Sequence, residues 1–180
     1  MFSNPFASAP GQAVAYSAAV IELLGDRDPL DVLRRTADQL DESLRGLTPD
    51  EMRRPEAPGK WSIGQVLRHL ADSEIVWAWR LRLVLAQDRP TLTGYDQDGW
   101  AERLRYEGAD PATSLREFRT VREGNLRLLE GLASEDLQRV GIHAERGAQT
   151  LAHMIMLCAG HDVLHLQQID RIKNKGPYLA

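Results

Sequence analysis

Apolar residues recur at helical spacing in four long segments of the chain. In the first segment they follow one another every three or four residues, which places them on one helix face: Leu30, Leu33, Ala37, Leu40, Leu44 and Leu47. The same spacing runs through residues 63–84, 115–132 and 151–172. No segment alternates polar and apolar residues over the length that a strand would show. The pattern therefore predicts an all-α chain.

Capping signals mark where these helices begin. Asp28 and Asp110 each precede a proline, which is typical of an N-cap followed by the first helical position. Ser62 and Gln65 have the spacing of a capping box. The fourth helix is expected to run from about residue 150 to about residue 173, because the pair Gly176–Pro177 then stops it.

Four amphipathic helices bury their apolar faces most simply by packing into a bundle. We expect residues 28–175 to form this four-helix bundle, and residues 1–27 to be an N-terminal extension that can hold one short helix. Residues 49–60, 88–108 and 141–147 are predicted to be loops. The longest of them, residues 88–108, carries aromatic side chains, which is typical of a loop that is either functional or packed over a site.

The composition is that of a globular chain with a mixed-charge surface. The 180 residues include 22 Lys and Arg against 26 Asp and Glu, and the two signs are interleaved. This arrangement argues against a nucleic-acid partner. No apolar run reaches the roughly 20 residues that a membrane span needs. The mildly apolar run at residues 13–24 has no basic residue before it, unlike a signal peptide. We therefore expect no membrane partner.

The chain has a single cysteine, Cys158, so no disulfide can form within it. A lone cysteine is typical of a protein in a reducing compartment, and we expect a cytoplasmic location. Cys158 lies one turn before His161 on the fourth predicted helix. It is interpreted either as a neighbour of a site there or as a plain buried cysteine.

The fourth predicted helix has titratable residues on its apolar face. At about 100° per residue, His161, Asp162 and His165 fall among the apolar positions of that face. His161 and His165 are four residues apart, so their imidazoles point the same way and can ligate one metal ion. Burying such groups is costly unless something satisfies them, as a metal ion would. Histidine pairs at this spacing also occur by chance, and the spacing alone leaves both readings open.

A third imidazole is available from the second predicted helix. His69 lies at the edge of the apolar face of that helix, a position that suits a group lining a cleft. Its other reading is a boundary histidine with a structural hydrogen bond. His143 lies in a predicted polar loop, and His153 falls off the main apolar face of the fourth helix. Either could border a pocket, but both are weaker candidates as ligands.

Two carboxylates stand on the apolar faces of the predicted helices. Asp162 is the candidate catalytic residue, because it could accept a hydrogen bond from a ligand imidazole and fix its tautomer. Glu74 points away from His69 around its helix and is interpreted as a structural carboxylate paired with an arginine. No H-E-x-x-H arrangement is present, which argues against a zincin-type protease.

Two segments resemble the DinB-like (YfiT-like) superfamily: GKWSIGQVLRHLADSE on the second predicted helix, and HAERGAQTLAHMIMLCAGHDVLHLQQI, which includes most of the fourth. The similarity runs through essentially the whole chain from LLGDRDPLDVL onward. The family has a His-Asp-x-His-His run whose first and last histidines are ligands, and residues 161–165 match it. Leu164 replaces the penultimate histidine, but both ligand positions are kept. His69 matches the first ligand of the family.

The resemblance implies a four-helix bundle with up-down-down-up connections, and commonly a homodimer. It also implies one divalent metal ion per chain, Zn²⁺ or Ni²⁺, on His69, His161 and His165. Members of the family include thiol-dependent transferases and a thiol-dependent isomerase, which use low-molecular-weight thiols such as bacillithiol or mycothiol. Others are described only as metal-dependent hydrolases.

Three functions remain open at this point, each with a small-molecule ligand. The favoured one is a metal-dependent transferase with a thiol of the bacillithiol, mycothiol or glutathione type as co-substrate, because no convincing general base accompanies the ligands. The others are a metal-dependent hydrolase and a non-catalytic metal-binding module of a stress response. A basic groove near the site would favour an acidic thiol. The arginines that could supply it are Arg68, Arg80, Arg82, Arg103 and Arg105.

Overall fold

The structure, a computed structural model, describes residues 12–174, most of which are helical. The helices are α1 (Gln12–Leu24), α2 (Pro29–Leu44), α3 (Pro49–Arg53), α4 (Ile63–Ala86), α5 (Gln97–Arg103), α6 (Pro111–Glu130) and α7 (Leu151–Asn174). The strands are β1 (Thr91–Leu92), β2 (Val140–His143) and β3 (Gly147–Thr150). Single 3₁₀ turns cover Tyr106–Gly108 and Asp136–Gln138.

The long helices begin where the capping signals predict. Asp28 accepts a hydrogen bond from the backbone N–H of Asp31 at 2.8 Å, and Asp110 accepts one from Thr113 at 2.8 Å. Ser62 begins α4 with a reciprocal capping box. Each cap satisfies a backbone donor that the first helical turn would leave unpaired. The predicted starts of these three helices are confirmed, and α7 begins within one residue of its predicted start.

Side-chain pairs between the helices give their relative directions. The pairs that show this are Arg68–Glu117 and Arg82–Asn125 between α4 and α6, and Arg34–Glu130 and Asp38–Arg119 between α2 and α6. Residue numbers rise together in the first two pairs, so α4 and α6 are parallel. They run in opposite senses in the last two, so α2 is antiparallel to α6.

Helix α7 completes the bundle. Its first turns share an apolar cluster with the C-terminal half of α4, and its last turns share another with the N-terminal half of α4. Helix α7 is therefore antiparallel to α4. The order α2, α4, α6, α7 reads up-down-down-up, which confirms the predicted four-helix bundle and its connections.

The bundle interior contains two apolar clusters with polar residues between them. Val66 and Phe118 belong to the cluster nearest the start of α4, while Val84 and Met154 belong to the other. These side chains are almost entirely removed from water, which stabilises the bundle by about 25 cal/mol for each Å² of apolar surface buried. On α7 the candidate site residues fall in the stretch between the two clusters, whereas on α4 His69 lies among the residues of the cluster nearest the start of that helix.

A small sheet was not predicted. Residues 141–147, predicted to be a loop, include most of β2, which pairs antiparallel with β3. Strand β1, from the long connection, pairs parallel with β2 and places Leu92 opposite His143. Strands of two to four residues are too short to show a polar–apolar alternation, and β1 is distant from β2 in sequence. Gly141 allows the close approach, because a Cβ atom there would lie 2.6 Å from the Leu92 side chain.

Helix α1 confirms the expected short helix near the N-terminus. It packs along α7, where a Cβ atom on Gly160 would lie only 2.2 Å from the carbonyl oxygen of Val20. The predicted stop at Gly176–Pro177 lies outside the described residues, and the boundary between an extension and a bundle stays a prediction. In residues 12–174 there is no helix with the length and apolar character needed to cross a membrane.

Candidate metal centre

Three histidines from two helices meet inside the bundle. His69 comes from the first half of α4, and His161 and His165 lie one turn apart on α7. His69 is fully buried and His165 is nearly so. The antiparallel packing of α4 against α7 brings these residues together, although His69 and His161 are separated by 92 positions in the chain.

The three ring nitrogens are spaced as ligands of one ion would be. His161 Nε2 lies 3.1 Å from His69 Nε2 and 3.1 Å from His165 Nε2, and the ligand atoms of all three lie within 4.8 Å of one another. Tetrahedral coordination with metal–nitrogen bonds of about 2.0–2.1 Å places two ligand nitrogens about 3.3 Å apart. The residues present therefore fit a divalent ion held by three imidazoles.

Burial keeps these imidazoles in the form that binds metal. It lowers the pKa of His69 and of His161 well below the usual value, and proximity to the other imidazoles lowers both further. The pKa of His165 falls to about 4, mainly through burial. Neutral imidazoles have a free lone pair on one ring nitrogen, so the set is ready to ligate near neutral pH.

Neighbouring side chains fix the orientation of the rings. The Nδ1–H of His165 donates to Gln168 Oε1 at 2.8 Å, which leaves the Nε2 lone pair facing the other two histidines. The Trp61 ring packs against His69 with centroids 5.0 Å apart. Ser73 Oγ lies 3.3 Å from His69 Nε2 and shares a 2.9 Å hydrogen bond with Tyr95 OH.

The structure places Asp162 differently from the prediction. Both carboxylate oxygens of Asp162 accept hydrogen bonds from Arg122, at 2.6 and 3.2 Å, whereas Gln168 is the partner of His165. The reason is that a buried guanidinium needs carboxylate partners more than a neutral imidazole does. The expectation that Asp162 accepts a hydrogen bond from a ligand imidazole is therefore wrong.

Arg122 organises a buried polar network beside the histidines. It also donates to both oxygens of Glu74, at 3.0 and 2.7 Å, and Asn125 donates to Glu74 at 2.6 Å. The interpretation of Glu74 as an arginine-paired carboxylate is confirmed. Arg122 was missed by the sequence analysis, although a signal exists: positions 115, 118, 122, 125 and 129 form one buried stripe of α6.

A cavity of about 50 Å³ adjoins the histidines. Its wall includes His161, Ser73 and Tyr95, together with side chains from α1. Tyr95 comes from residues 88–108, and its ring lies 4.5 Å from that of Trp100. The packing of this long connection over the site confirms one of its two sequence-based interpretations.

The other candidate residues lie outside the histidine cluster. His143 is buried on β2, and His153 is partly buried on the first turn of α7. Cys158 is a buried thiol 3.9 Å from a guanidinium nitrogen of Arg122, and burial raises its pKa well above the usual value. None of these three supplies a ligand atom to the cluster found in residues 12–174.

Comparison with known proteins gives relatives over most of the chain. A protein from Oceanobacillus iheyensis with the name "Putative metal-dependent hydrolase OB0413" is 29% identical over 132 residues, which are 73% of this chain and 75% of the relative. YfiT from Bacillus subtilis, named in the same way, is 26% identical over 147 residues, or 81% of this chain and 83% of YfiT.

The solved structure of YfiT shows the same fold. It is described as a probable metal-dependent hydrolase with an unusual four-helix bundle topology, and it matches 94% of this chain and 92% of its own with a TM-score of 0.71 at 23% identity. The family model of the DinB superfamily matches residues 32–169, a range that contains all three histidines of the cluster. The chain therefore belongs to the DinB superfamily.

Proposed function

We propose that this protein is a metal-dependent enzyme that transfers a group to a low-molecular-weight thiol, with Zn²⁺ or Ni²⁺ on His69, His161 and His165. One observation carries the proposal. Three neutral imidazoles converge, with His161 Nε2 3.1 Å from each of the other two Nε2 atoms, beside a cavity that has no carboxylate among its described lining residues. A divalent ion that is intermediate between hard and soft, such as Zn²⁺ or Ni²⁺, suits a set of ligands that are all imidazoles.

A divalent ion held by His69, His161 and His165 would supply one kind of chemistry, which is to lower the pKa of a thiol or water that binds to it. The chain's own residues then decide which nucleophile is used. Water attack is helped by a general base that shuttles protons, usually a carboxylate or an imidazole. Arg122 holds both oxygens of Glu74 and of Asp162, and Arg68 holds one oxygen of Asp72, whose carboxylate is absent from the cavity wall. Their engagement favours the thiol.

Two hydroxyl groups in the cavity have roles of their own. Burial raises the pKa of Tyr95, so its phenol stays protonated at neutral pH and can donate a hydrogen bond or a proton. Ser73, bonded to Tyr95, holds that hydroxyl at the edge of the histidine cluster. We assign Tyr95 the task of stabilising negative charge that develops on the electrophile.

A hydrolase is the second candidate, because the relatives from Oceanobacillus iheyensis and Bacillus subtilis are named as metal-dependent hydrolases. The homodimer and the cytoplasmic location expected from the sequence belong to the same proposal.

The test offers a fluorogenic electrophile, monochlorobimane, with bacillithiol, mycothiol, glutathione or cysteine to protein loaded with Zn²⁺ or Ni²⁺. We expect conjugation with at least one thiol, and a rate at least about 100-fold lower in H161A or after chelation. H153A, on the same helix but outside the cluster, keeps the rate. Cleavage of esters or amides by the metal-loaded protein, without thiol consumption, would establish the hydrolase instead. Failure of both reactions would leave a metal-binding module.

A further inference from the structure

Two arginines face the cavity beside His161 without a carboxylate partner. Arg80, on α4, is only 6% exposed and donates to the backbone carbonyl of Thr93. Arg146, in the β2–β3 turn, has a buried Nε that forms no hydrogen bond within residues 12–174. Both guanidiniums line the cavity, and neither forms an ion pair with a carboxylate of the described residues.

This arrangement differs from the other deeply placed arginines of the bundle. Arg122 has two carboxylates and Arg68 has two as well. Removing a cation from water is costly, and placing two beside each other adds repulsion; Glu145 attracts both guanidiniums but forms no ion pair with either. Burial and the neighbouring Arg80 together lower the pKa of Arg146 to about 10. The pKa of Arg80 is lowered too, so burial outweighs the attraction to Glu145 at both guanidiniums, and neither group ties helices together as Arg122 does.

A third buried donor lies near the same pair. His143 Nδ1 accepts a hydrogen bond from the backbone N–H of Glu145 at 3.2 Å, so its proton is on Nε2. That Nε2–H has no hydrogen-bond partner within the described chain. Burial, Arg146 and Arg80 hold the pKa of His143 near 3, so the ring is neutral; its acceptor nitrogen Nδ1 is already used, and Nε2–H is left as a donor. The electrostatic field of this region therefore favours an acceptor with negative charge.

We propose that Arg80 and Arg146 form a subsite for a carboxylate group of the thiol co-substrate. The cavity of about 50 Å³ has room for a carboxylate in place of a few water molecules. Because His161 belongs to the same wall, a molecule with its carboxylate on the arginines can present its sulfur at the histidine cluster. The hydrogen bonds between the guanidiniums and this carboxylate would be charge-assisted, and such bonds make arginine selective for carboxylates. The assignment of the carboxylate to a thiol rests on the proposed function; the subsite itself does not.

The test compares 3-mercaptopropionate with 3-mercapto-1-propanol, which has the same thiol without the carboxylate, by isothermal titration calorimetry on metal-loaded protein. We expect the wild type to bind the carboxylate form at least about tenfold more tightly. R80Q and R146Q lose this preference, while R146K retains part of it. The matched control is R82Q. Arg82 is on the same helix as Arg80 but bonds to Asn125 outside the cavity, so we expect R82Q to retain the full preference.

Succinate, which carries carboxylates but no thiol, separates this proposal from the proposed function. If succinate binds in a manner that depends on Arg80 and Arg146, the anion subsite is supported even where no thiol reacts. If the wild type shows no preference for 3-mercaptopropionate, or if R80Q and R146Q keep the preference while still unfolding at the wild-type temperature, the subsite is wrong.

Discussion

At the scale of single residues, the guanidinium of Arg122 connects four helices. It lies on α6 and donates to Glu74 of α4, to Asp162 of α7 and to the carbonyl oxygen of Leu33 on α2. Asp162 directly follows His161 in the chain, so the position of this part of α7 is fixed by the same network. Buried ion pairs of this kind contribute little net stability, but they penalise any packing that leaves one member unpaired.

We predict that R122M lowers the free energy of unfolding by about 3–5 kcal/mol, because Glu74 and Asp162 then remain buried without a counter-charge. Urea denaturation followed by circular dichroism measures the change. The matched control is R119A on the same helix, whose partner Asp38 is exposed; there the loss is about 1 kcal/mol or less. Equal losses in the two variants would contradict the assigned role of Arg122.

At the scale of elements, α1 covers one side of the cavity by packing closely on α7. Tyr16, Ser17 and Val20 of α1 are part of the cavity wall. The contact depends on Gly160, which lets the two backbones approach more closely than any side chain would allow. A glycine inside a helix costs about 0.5–1 kcal/mol relative to alanine, and here the close packing of α1 offsets that cost.

We predict opposite effects from two glycine-to-alanine substitutions in helices. G160A destabilises the protein by about 1–3 kcal/mol and speeds hydrogen exchange of the α1 amides, because the new methyl group overlaps Val20. G124A, where the nearest atom is the end of the Arg127 side chain at 3.8 Å, stabilises it by about 0.5–1 kcal/mol. A stabilising effect of both substitutions would mean that α1 does not pack on α7 as described.

Local signals predicted the four long helices, whereas the short helices α3 and α5 lie in segments that were predicted to be loops, despite local caps at Thr48 and Asp96. Contacts between distant residues account for the missed sheet. The caps at Asp28, Ser62 and Asp110 act within three residues, so the sequence displays them directly. The sheet depends on β1 meeting β2 from a distant part of the chain, which no local pattern encodes.

The same distinction holds within the candidate site. His161 and His165 could be predicted from their spacing on one helix, and His69 from the family resemblance. Of the five arginines considered for a basic groove, Arg80 alone is in the cavity wall among the described residues. Its companion Arg146 lies in a turn whose position depends on the unpredicted sheet.

At the scale of the whole molecule, the up-down-down-up connection makes α4 and α7 antiparallel neighbours. Their polar residues then face each other inside the bundle, and the two apolar clusters, one towards each end, exclude water. One chain thus supplies all three imidazoles, and the two ends of the bundle can stabilise the fold while its middle carries the chemistry. The central claim is that this middle holds a divalent ion.

Elemental analysis of the purified full-length protein by inductively coupled plasma mass spectrometry tests that claim most directly. We predict close to one divalent ion per chain in the wild type and in H153A, and loss of the ion in H161A and H165A, because three imidazoles are needed for tight binding. Absence of metal from the wild type, even after incubation with Zn²⁺ or Ni²⁺, or equal metal content in H161A and H153A, would contradict the account.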